Sequence, residues 1–227
     1  MDHAVIAGTA AFLAGYVVGA LPVAWLLVRR RHGVDLRARG AGGTGSLDAF
    51  AAGGVKTAIL AAVLEVLKGA AIGVSARLYT DVGWFIAAAI AGCVAGDAFP
   101  VGFRRGGRGL VPLVAGLIVA LPAAGLITAI AAIPTALFTS MRGSVYDAVV
   151  LVAVPVGLLV GTREWQSLGP AAAIVLVLLA RSNQRRRRRA ALAEQPAWRT
   201  IVDVDPATGP APPLGGPSRQ NAAPWDS

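Results

Sequence analysis

Long apolar stretches alternate along this chain with short segments rich in glycine and arginine. The first apolar run, residues 4–28, is long enough to cross about 30 Å of hydrocarbon as a helix. Pro22 sits near its far end, where it kinks or ends regular helix. Residues 51–76 and 84–101 predict a second and a third span. The stretch 110–138 is too long for one untilted crossing, and Pro122 divides it into a short fourth span, a tight turn and a fifth. Two more follow over 145–160 and 168–180. The pattern predicts an all-α, polytopic membrane helix bundle of about seven spans, with five as the lower bound if the divided stretch is merged and one weak span dropped. Residues 1–189 form this transmembrane domain. Past residue 190, alanine, proline and glycine dominate without apolar periodicity, which predicts a disordered tail over 190–227.

Composition agrees with a membrane protein. Of 227 residues, 56% are apolar and 15% charged, against about 25% charged in soluble domains. The net charge is +9, and its placement carries the information. With the amino terminus outside, the inner segments hold Arg29, Arg30, Arg31, Arg37, Arg39, Arg104, Arg105, Arg108, Arg142 and the run Arg185 to Arg189, whereas the outer loops hold Arg77 and Arg163. That bias orients the chain with its basic loops and tail on the cytoplasmic side of the membrane. The arginines adjoin apolar segments and lack interleaved aromatics, which argues against a nucleic-acid partner. Met1-Asp2-His3 has no basic character, so the first segment reads as a retained helix rather than a signal peptide. The single cysteine, Cys93, lies in an apolar run and reads as a packing residue. Arg185–Arg189 serves either as a contact for anionic lipid or as a topology anchor.

Two loops on the predicted inner face carry the candidate chemistry. One spans residues 33–48 and includes Gly40, Gly42, Gly43, Thr44, Gly45 and Ser46; the other spans 96–109 and includes Arg104, Arg105, Gly106, Gly107, Arg108 and Gly109. Glycine lets backbone N–H groups converge on an anion, arginine offers forked donors to phosphate, and a helix amino end adds a favourable dipole. The plainer alternative is a pair of flexible basic linkers. Glu65 and Lys68 lie three positions apart within the second span, on one helical face. Lys68 either meets a substrate phosphate or pairs with Glu65 to steady helix packing. Asp97 is either a polar group of the site or a helix-end cap, and Asp147 reads as interfacial. No H-x-x-x-x-D, P-loop, G-x-S-x-G elbow or metal-ligand spacing occurs in the sequence, so triad and metal mechanisms are disfavoured and no cofactor is expected. A transporter is disfavoured because no internal repeat or paired broken helices are apparent.

These segments resemble the membrane-embedded acyl-phosphate:glycerol-3-phosphate acyltransferases of bacteria, the PlsY type. Gly15-Tyr16-Val17-Val18-Gly19-Ala20-Leu21-Pro22 is similar to the family's Y-L-L-G-S-I-P, and Gly33-Val34-Asp35-Leu36-Arg37 matches G-V/I-D-L-R. Residues 40–48 stand at the family's G-S-G-N-x-G-A-T-N, and Glu65-Val66-Leu67-Lys68-Gly69 at D-x-x-K-G. Gly96-Asp97-Ala98-Phe99-Pro100-Val101 and Arg105-Gly106-Gly107-Arg108-Gly109 mirror G-H-x-F-P-V and K-G-G-K-G. The resemblance runs over roughly residues 10–181 and implies transfer of a fatty acyl group from acyl-phosphate to the 1-hydroxyl of glycerol 3-phosphate, giving lysophosphatidic acid and phosphate without metal or nucleotide. It points to Lys68, Arg108 and Asp97 as catalytic residues. Gly42, Gly43, Thr44, Gly45, Ser46, Arg105, Gly106, Gly107 and Gly109 are the implied phosphate-binding set, and membrane lipids are the further partners.

Several motif positions depart from the family pattern. Ala41 stands for serine, Gly43 and Asp48 for asparagines, Ala51 for arginine, and Asp97 for histidine. Arg181-Ser182-Asn183 stands where R-H-x-x-N is common, so that histidine is absent too. A carboxylate beside two phosphates repels them unless it is protonated or paired. The alternative expectation is therefore a degenerate relative that binds acyl-phosphate or lipid as a scaffold or sensor.

Overall fold

A computed structural model describes residues 3–36, 43–102, 106–138 and 144–193. All regular structure among them is helical: α1 (His3–Gly19), α2 (Val23–His32), α3 (Ser46–Tyr79), α4 (Gly83–Ala98), α5 (Leu110–Ala120), α6 (Pro122–Phe138), α7 (Ser144–Thr162) and α8 (Leu168–Ala193), with a 3-10 turn at Trp165–Ser167. Residues Met1–Arg187 make up one unit, and the packing below belongs to it. The predicted tail lies outside the described residues.

The proline breaks fall where the sequence places them. Pro22 separates α1 from α2, and Leu121-Pro122 separates α5 from α6. α2 ends at Gly33, whose φ of 65° is left-handed and whose N–H donates to the Arg29 carbonyl at 3.1 Å. Two elements differ from expectation. The second span does not begin at residue 51 but as a helix from Ser46, reversed at Gly54 (φ 71°, ψ −172°), a conformation glycine adopts without steric cost. The arm before Gly54 folds back, so that the Ser46 amide reaches Glu65, 19 residues on. The last helix also runs well past residue 180, to Ala193, because arginine and alanine are good helix formers.

Among the described residues, four stretches are long and apolar enough to cross a bilayer: Val5–His32, Asp48–Tyr79, Val145–Thr162 and Trp165–Gln184. Gly83–Ala98, Leu110–Ala120 and Pro122–Thr135 are shorter apolar helices. With 11 residues, α5 is only about 16 Å long, well short of a full hydrocarbon core. Val17, Ile59, Leu67, Ile130, Val152 and Leu176 lie largely exposed on the bundle surface, as lipid-facing residues do.

Helices in lipid gain little from burying apolar surface, so close backbone approach between small residues drives their packing. Here it recurs as glycine pairs four residues apart. On α1, a Cβ added at Gly15 or Gly19 would lie 2.0 Å or 2.1 Å from the carbonyl oxygens of Ala89 or Cys93. On α4, one at Gly92 or Gly96 would lie 1.9 Å or 2.2 Å from those of Phe12 or Tyr16. Gly69 and Gly73 of α3 meet the backbone of Pro112 and Gly116 in the same way, and Gly157 and Gly161 of α7 meet Ala124. At the amino end of α4, the Glu164 carboxylate accepts the Gly83 and Trp84 amides at 3.3 and 3.0 Å.

A methyl group at Gly92 cannot be accommodated by side-chain movement. Gly92→Ala is expected to cost about 1–3 kcal/mol through overpacking, read as a lower unfolding midpoint in detergent. Gly169→Ala, where a methyl meets nothing within 4 Å, is expected to leave the midpoint unchanged or slightly raised.

Candidate active site

Because α1 stops at Gly19, its last carbonyls have no intrahelical donors. The Gly19 oxygen accepts instead from Lys68 Nζ of α3, at 3.0 Å. The same ammonium forms an ion pair with Asp97 Oδ1, in the last turn of α4, at 2.5 Å. Both side chains are almost wholly buried, 4% and 8% exposed. The second Asp97 oxygen accepts the Gly109 amide at 3.0 Å, at the amino cap of α5. One buried pair therefore joins α1, α3, α4 and the start of α5. Tyr16 adds a tie by donating its hydroxyl to the Phe99 carbonyl at 2.7 Å.

The loop before α5 is laid across the carboxyl end of α4. Gly106 donates to Ala98 O at 3.2 Å and Gly107 to Asp97 O at 2.7 Å. Side chains do not fit here: a Cβ at Gly106 would lie 2.0 Å from Asp97 O, and one at Gly107 2.2 Å from Asp97 Oδ2. Arg181 of α8, 4% exposed, closes over the loop. Its Nε donates to Gly107 O at 3.2 Å, its Nη2 to Gly106 O, and its guanidinium lies 5.8 Å from the Phe99 ring centroid. The first glycine segment meets the second here, with Thr44 N donating to Gly106 O at 3.4 Å.

Beside this junction is a cavity of about 130 Å³ lined by Gly45, Ser46, Asp48, Glu65, Arg108, Gly109, Leu110 and Val111. That is roughly ten times the ~10–15 Å³ that one water needs. Arg108 is the cation of this lining and Asp48 and Glu65 its carboxylates. Glu65 Oε1 accepts the Ser46 amide at 3.0 Å, and Oε2 accepts the Ser46 hydroxyl at 3.3 Å. Asp48 Oδ2 accepts the Gly45 amide at 3.3 Å, the carboxylate of the third helical residue reaching back to the N-cap amide. Leu110 and Val111 open α5, where first-turn N–H groups lack intrahelical acceptors. An anion in the cavity would meet that helix end and the Arg108 side chain together.

The site residues read from sequence are thus brought close to one another, with changed local roles. Gly43, Thr44, Gly45, Ser46, Lys68, Asp97, Gly106, Gly107, Arg108 and Gly109 converge on the junction and its cavity, whereas Gly42 and Arg105 lie outside the described residues. The spacing of Glu65 and Lys68 predicts a pair on one helical face, but Lys68 reaches across to Asp97 and Glu65 turns to Ser46. A short bridge to another helix, joined by the Gly19 carbonyl, wins over an i,i+3 neighbour. Nor are the glycine amides an open cradle. Those of Thr44, Gly45, Ser46, Gly106, Gly107 and Gly109 are already engaged by protein acceptors, because each loop folds onto a helix end. Arg181, which stands at the arginine of the family's R-H-x-x-N pattern but was not counted among the site residues, is a structural member of the site. Ala51 is exposed on α3. Asp147, expected at an interface, pairs with Arg186.

The family profile described as Glycerol-3-phosphate acyltransferase matches residues 9–190. A "Glycerol-3-phosphate acyltransferase 5" of Dehalococcoides mccartyi is 32% identical over 167 residues, 69% of this chain and 69% of its own. A glycerol-3-phosphate acyltransferase of Rubrobacter xylanophilus is 38% identical over 99 residues, 43% of this chain and 49% of its own. Among solved structures, PlsY (YgiH), an integral membrane glycerol 3-phosphate acyltransferase, matches in its glycerol 3-phosphate form with a TM-score of 0.67 at 20% identity, covering 87% of this chain and 99% of that one. Its lysophosphatidic acid form gives 0.65 at 20% identity, covering 83% and 94%. At that identity the structural likeness is one of fold, that of an integral membrane helix bundle. The match across residues 9–190 adds the family: the chain belongs to the glycerol-3-phosphate acyltransferases.

Removing one partner of a buried ion pair strands a charge in a low-dielectric interior. Lys68→Met or Asp97→Asn alone is expected to cost about 3–5 kcal/mol in thermal unfolding in detergent, with the double variant recovering most of that loss. Simple additivity of the two losses would show that the pair is uncoupled.

Proposed function

We propose that this protein transfers a fatty acyl group from acyl-phosphate to the 1-hydroxyl of glycerol 3-phosphate, releasing lysophosphatidic acid and inorganic phosphate. The observation that carries this reading is the meeting of the 43–46 and 106–109 segments beside a cavity that holds Arg108 and the amino end of α5. Both substrates bear phosphate, and phosphate is already a good leaving group. Positioning and charge stabilisation supply much of the catalysis in such a reaction. Arg108 binds phosphate directly, while Lys68 acts through Asp97 to hold Gly109 and the start of α5. The acyl chain lies along the apolar helices. The family match and the bacterial relatives support a plasma-membrane location. The apolar pattern supports about seven crossings, and the arginine bias supports an outer amino terminus with the site loops and a 190–227 tail in the cytoplasm.

A second reading, a relative that binds acyl-phosphate or lipid without turnover, is favoured by one observation: Asp48 and Glu65 share the cavity lining with Arg108. Purified protein given acyl-phosphate and glycerol 3-phosphate separates the two. The expected result is release of phosphate and lysophosphatidate, with Arg108→Ala lowering kcat/KM by about 10- to 100-fold, the loss of one or two charge-assisted hydrogen bonds. Tight acyl-phosphate binding without phosphate release supports the second reading, and turnover indifferent to Arg108 removes that residue from the site.

A further inference from the structure

The start of α3, residues 46–53, is an arm set apart from the body of that helix. It joins the body through Gly54, whose φ of 71° and ψ of −172° fall in a backbone region open essentially to glycine alone. A Cβ at Gly54 would meet nothing within 4 Å, so the position uses backbone freedom rather than lack of bulk. Ala49 and Ala52 of the arm pack in a small apolar cluster with Ala24, Val28, Leu36 and Ala61, apart from the main core of the bundle. Alanines bury little apolar surface each, and Phe50 on the same arm is 52% exposed. Hydrogen bonds hold the start of the arm down. The Ser46 amide and hydroxyl donate to Glu65 at 3.0 and 3.3 Å, and Thr44 N reaches Gly106 O at a long 3.4 Å.

This lightly held segment is also a wall. Gly45, Ser46 and Asp48 line the cavity of about 130 Å³ that Arg108 and the first turn of α5 complete. Thr44 lines a crevice too narrow for water, which runs past the α1–α2 break at Pro22 to Asp97 and Pro100. Glu65 borders both spaces, so the 44–46 segment seated on it lies between them. Small-molecule sites measure about 300–1,000 Å³, and the cavity alone does not hold two phosphate-bearing substrates, one with a fatty chain. We infer that residues 44–53 form a gate. The arm swings on Gly54, Ser46 leaves Glu65, and cavity and crevice become one space that the substrates enter. Its return restores the wall around them, as lids that turn on a few hinge residues do. Glu65 is the seat on which the gate closes. The movement deepens the acyltransferase reading above, because it supplies the way in for both substrates.

The test reads opening directly, without turnover. Val111→Cys in a Cys93→Ala background places one thiol in the cavity wall. Its rate of labelling by fluorescein maleimide, a reagent larger than the closed cavity, reports how often the gate opens. Adding Gly54→Ala, which strains the folded-back backbone without a clash, is expected to raise that rate about 10-fold. Adding Ser46→Ala, which removes the hydroxyl bond to Glu65, is expected to raise it about threefold. Unfolding midpoints in detergent show that each protein is folded. Equal rates in the parent and both variants overturn the gate and leave the acyltransferase reading standing. A parent thiol that labels as fast as free glutathione also overturns it, since the cavity then has no closed wall. If Gly54→Ala does not fold, Ser46→Ala against the parent decides in the same way. Phosphate release from acyl-phosphate and glycerol 3-phosphate is followed on the wild type: gated labelling with no release supports the gate and overturns the acyltransferase reading.

Discussion

The ion pair between Lys68 and Asp97 is the constraint around which the polar end of this bundle is arranged. Two opposite charges at 2.5 Å with almost no solvent contact are tolerated in an interior only if the surrounding lone pairs and protons are also matched. The matching groups are backbone: the Gly19 carbonyl on the lysine side and the Gly109 amide on the aspartate side. Each is available because a helix ends or begins there. The pair thus converts the unsatisfied termini of α1 and α5 into partners, and it fixes where the cavity-lining turn of α5 starts. Breaking it would unseat the loop and the helix end together.

That arrangement demands short distances between backbones, and the glycine pairs provide them. Gly19 is both a contact point with Cys93 and the residue whose carbonyl meets Lys68. Gly96 packs against Tyr16 O one residue before Asp97. Packing and site geometry are therefore one feature: a larger residue at either position would push α1 from α4 and lengthen the bonds to Lys68. Gly69, directly after Lys68, plays the same part toward Pro112 in α5. Arg181 finishes the assembly by tying α8 to the carbonyls of Gly106 and Gly107.

Much of this was legible in the sequence, and the rest was not for identifiable reasons. Prolines announce helix breaks locally, so the divisions at Pro22 and Pro122 could be read directly. A shared membrane face follows from arginine placement, and that placement alone assigns the two glycine segments to one side. The glycine spacings at 15/19, 92/96, 69/73 and 157/161 were equally open to reading. The partner of Lys68 was not, because an i,i+3 neighbour on its own helix is visible from sequence while Asp97, 29 residues away, is a tertiary contact. The occupancy of the glycine amides was hidden for the same reason: whether an N–H is free depends on the path of the loop, which composition does not encode. Gly53-Gly54 offered a signal for the fold-back in α3, but glycines in a helical pattern rarely mean a reversal.

The departures from the family pattern acquire a different meaning once their contacts are known. Asp97 stands where the family has histidine, and its charge is met by Lys68 and the Gly109 amide rather than left facing a phosphate. Asp48 and Gly43 both replace asparagine, and they are linked: a Cβ at Gly43 would lie 2.3 Å from Asp48 Oδ2, so the carboxylate can occupy its capping position only because residue 43 has no side chain. Gly107, a glycine the family pattern already has, leaves room for Asp97, since a Cβ there would lie 2.2 Å from Oδ2. Independent decay of an unused site would scatter carboxylates without partners and without matched deletions of bulk. Here each new carboxylate has a donor and the space it needs. The pattern is that of a site rebuilt around different charges, which favours a retained chemistry with a changed inner network over a relic.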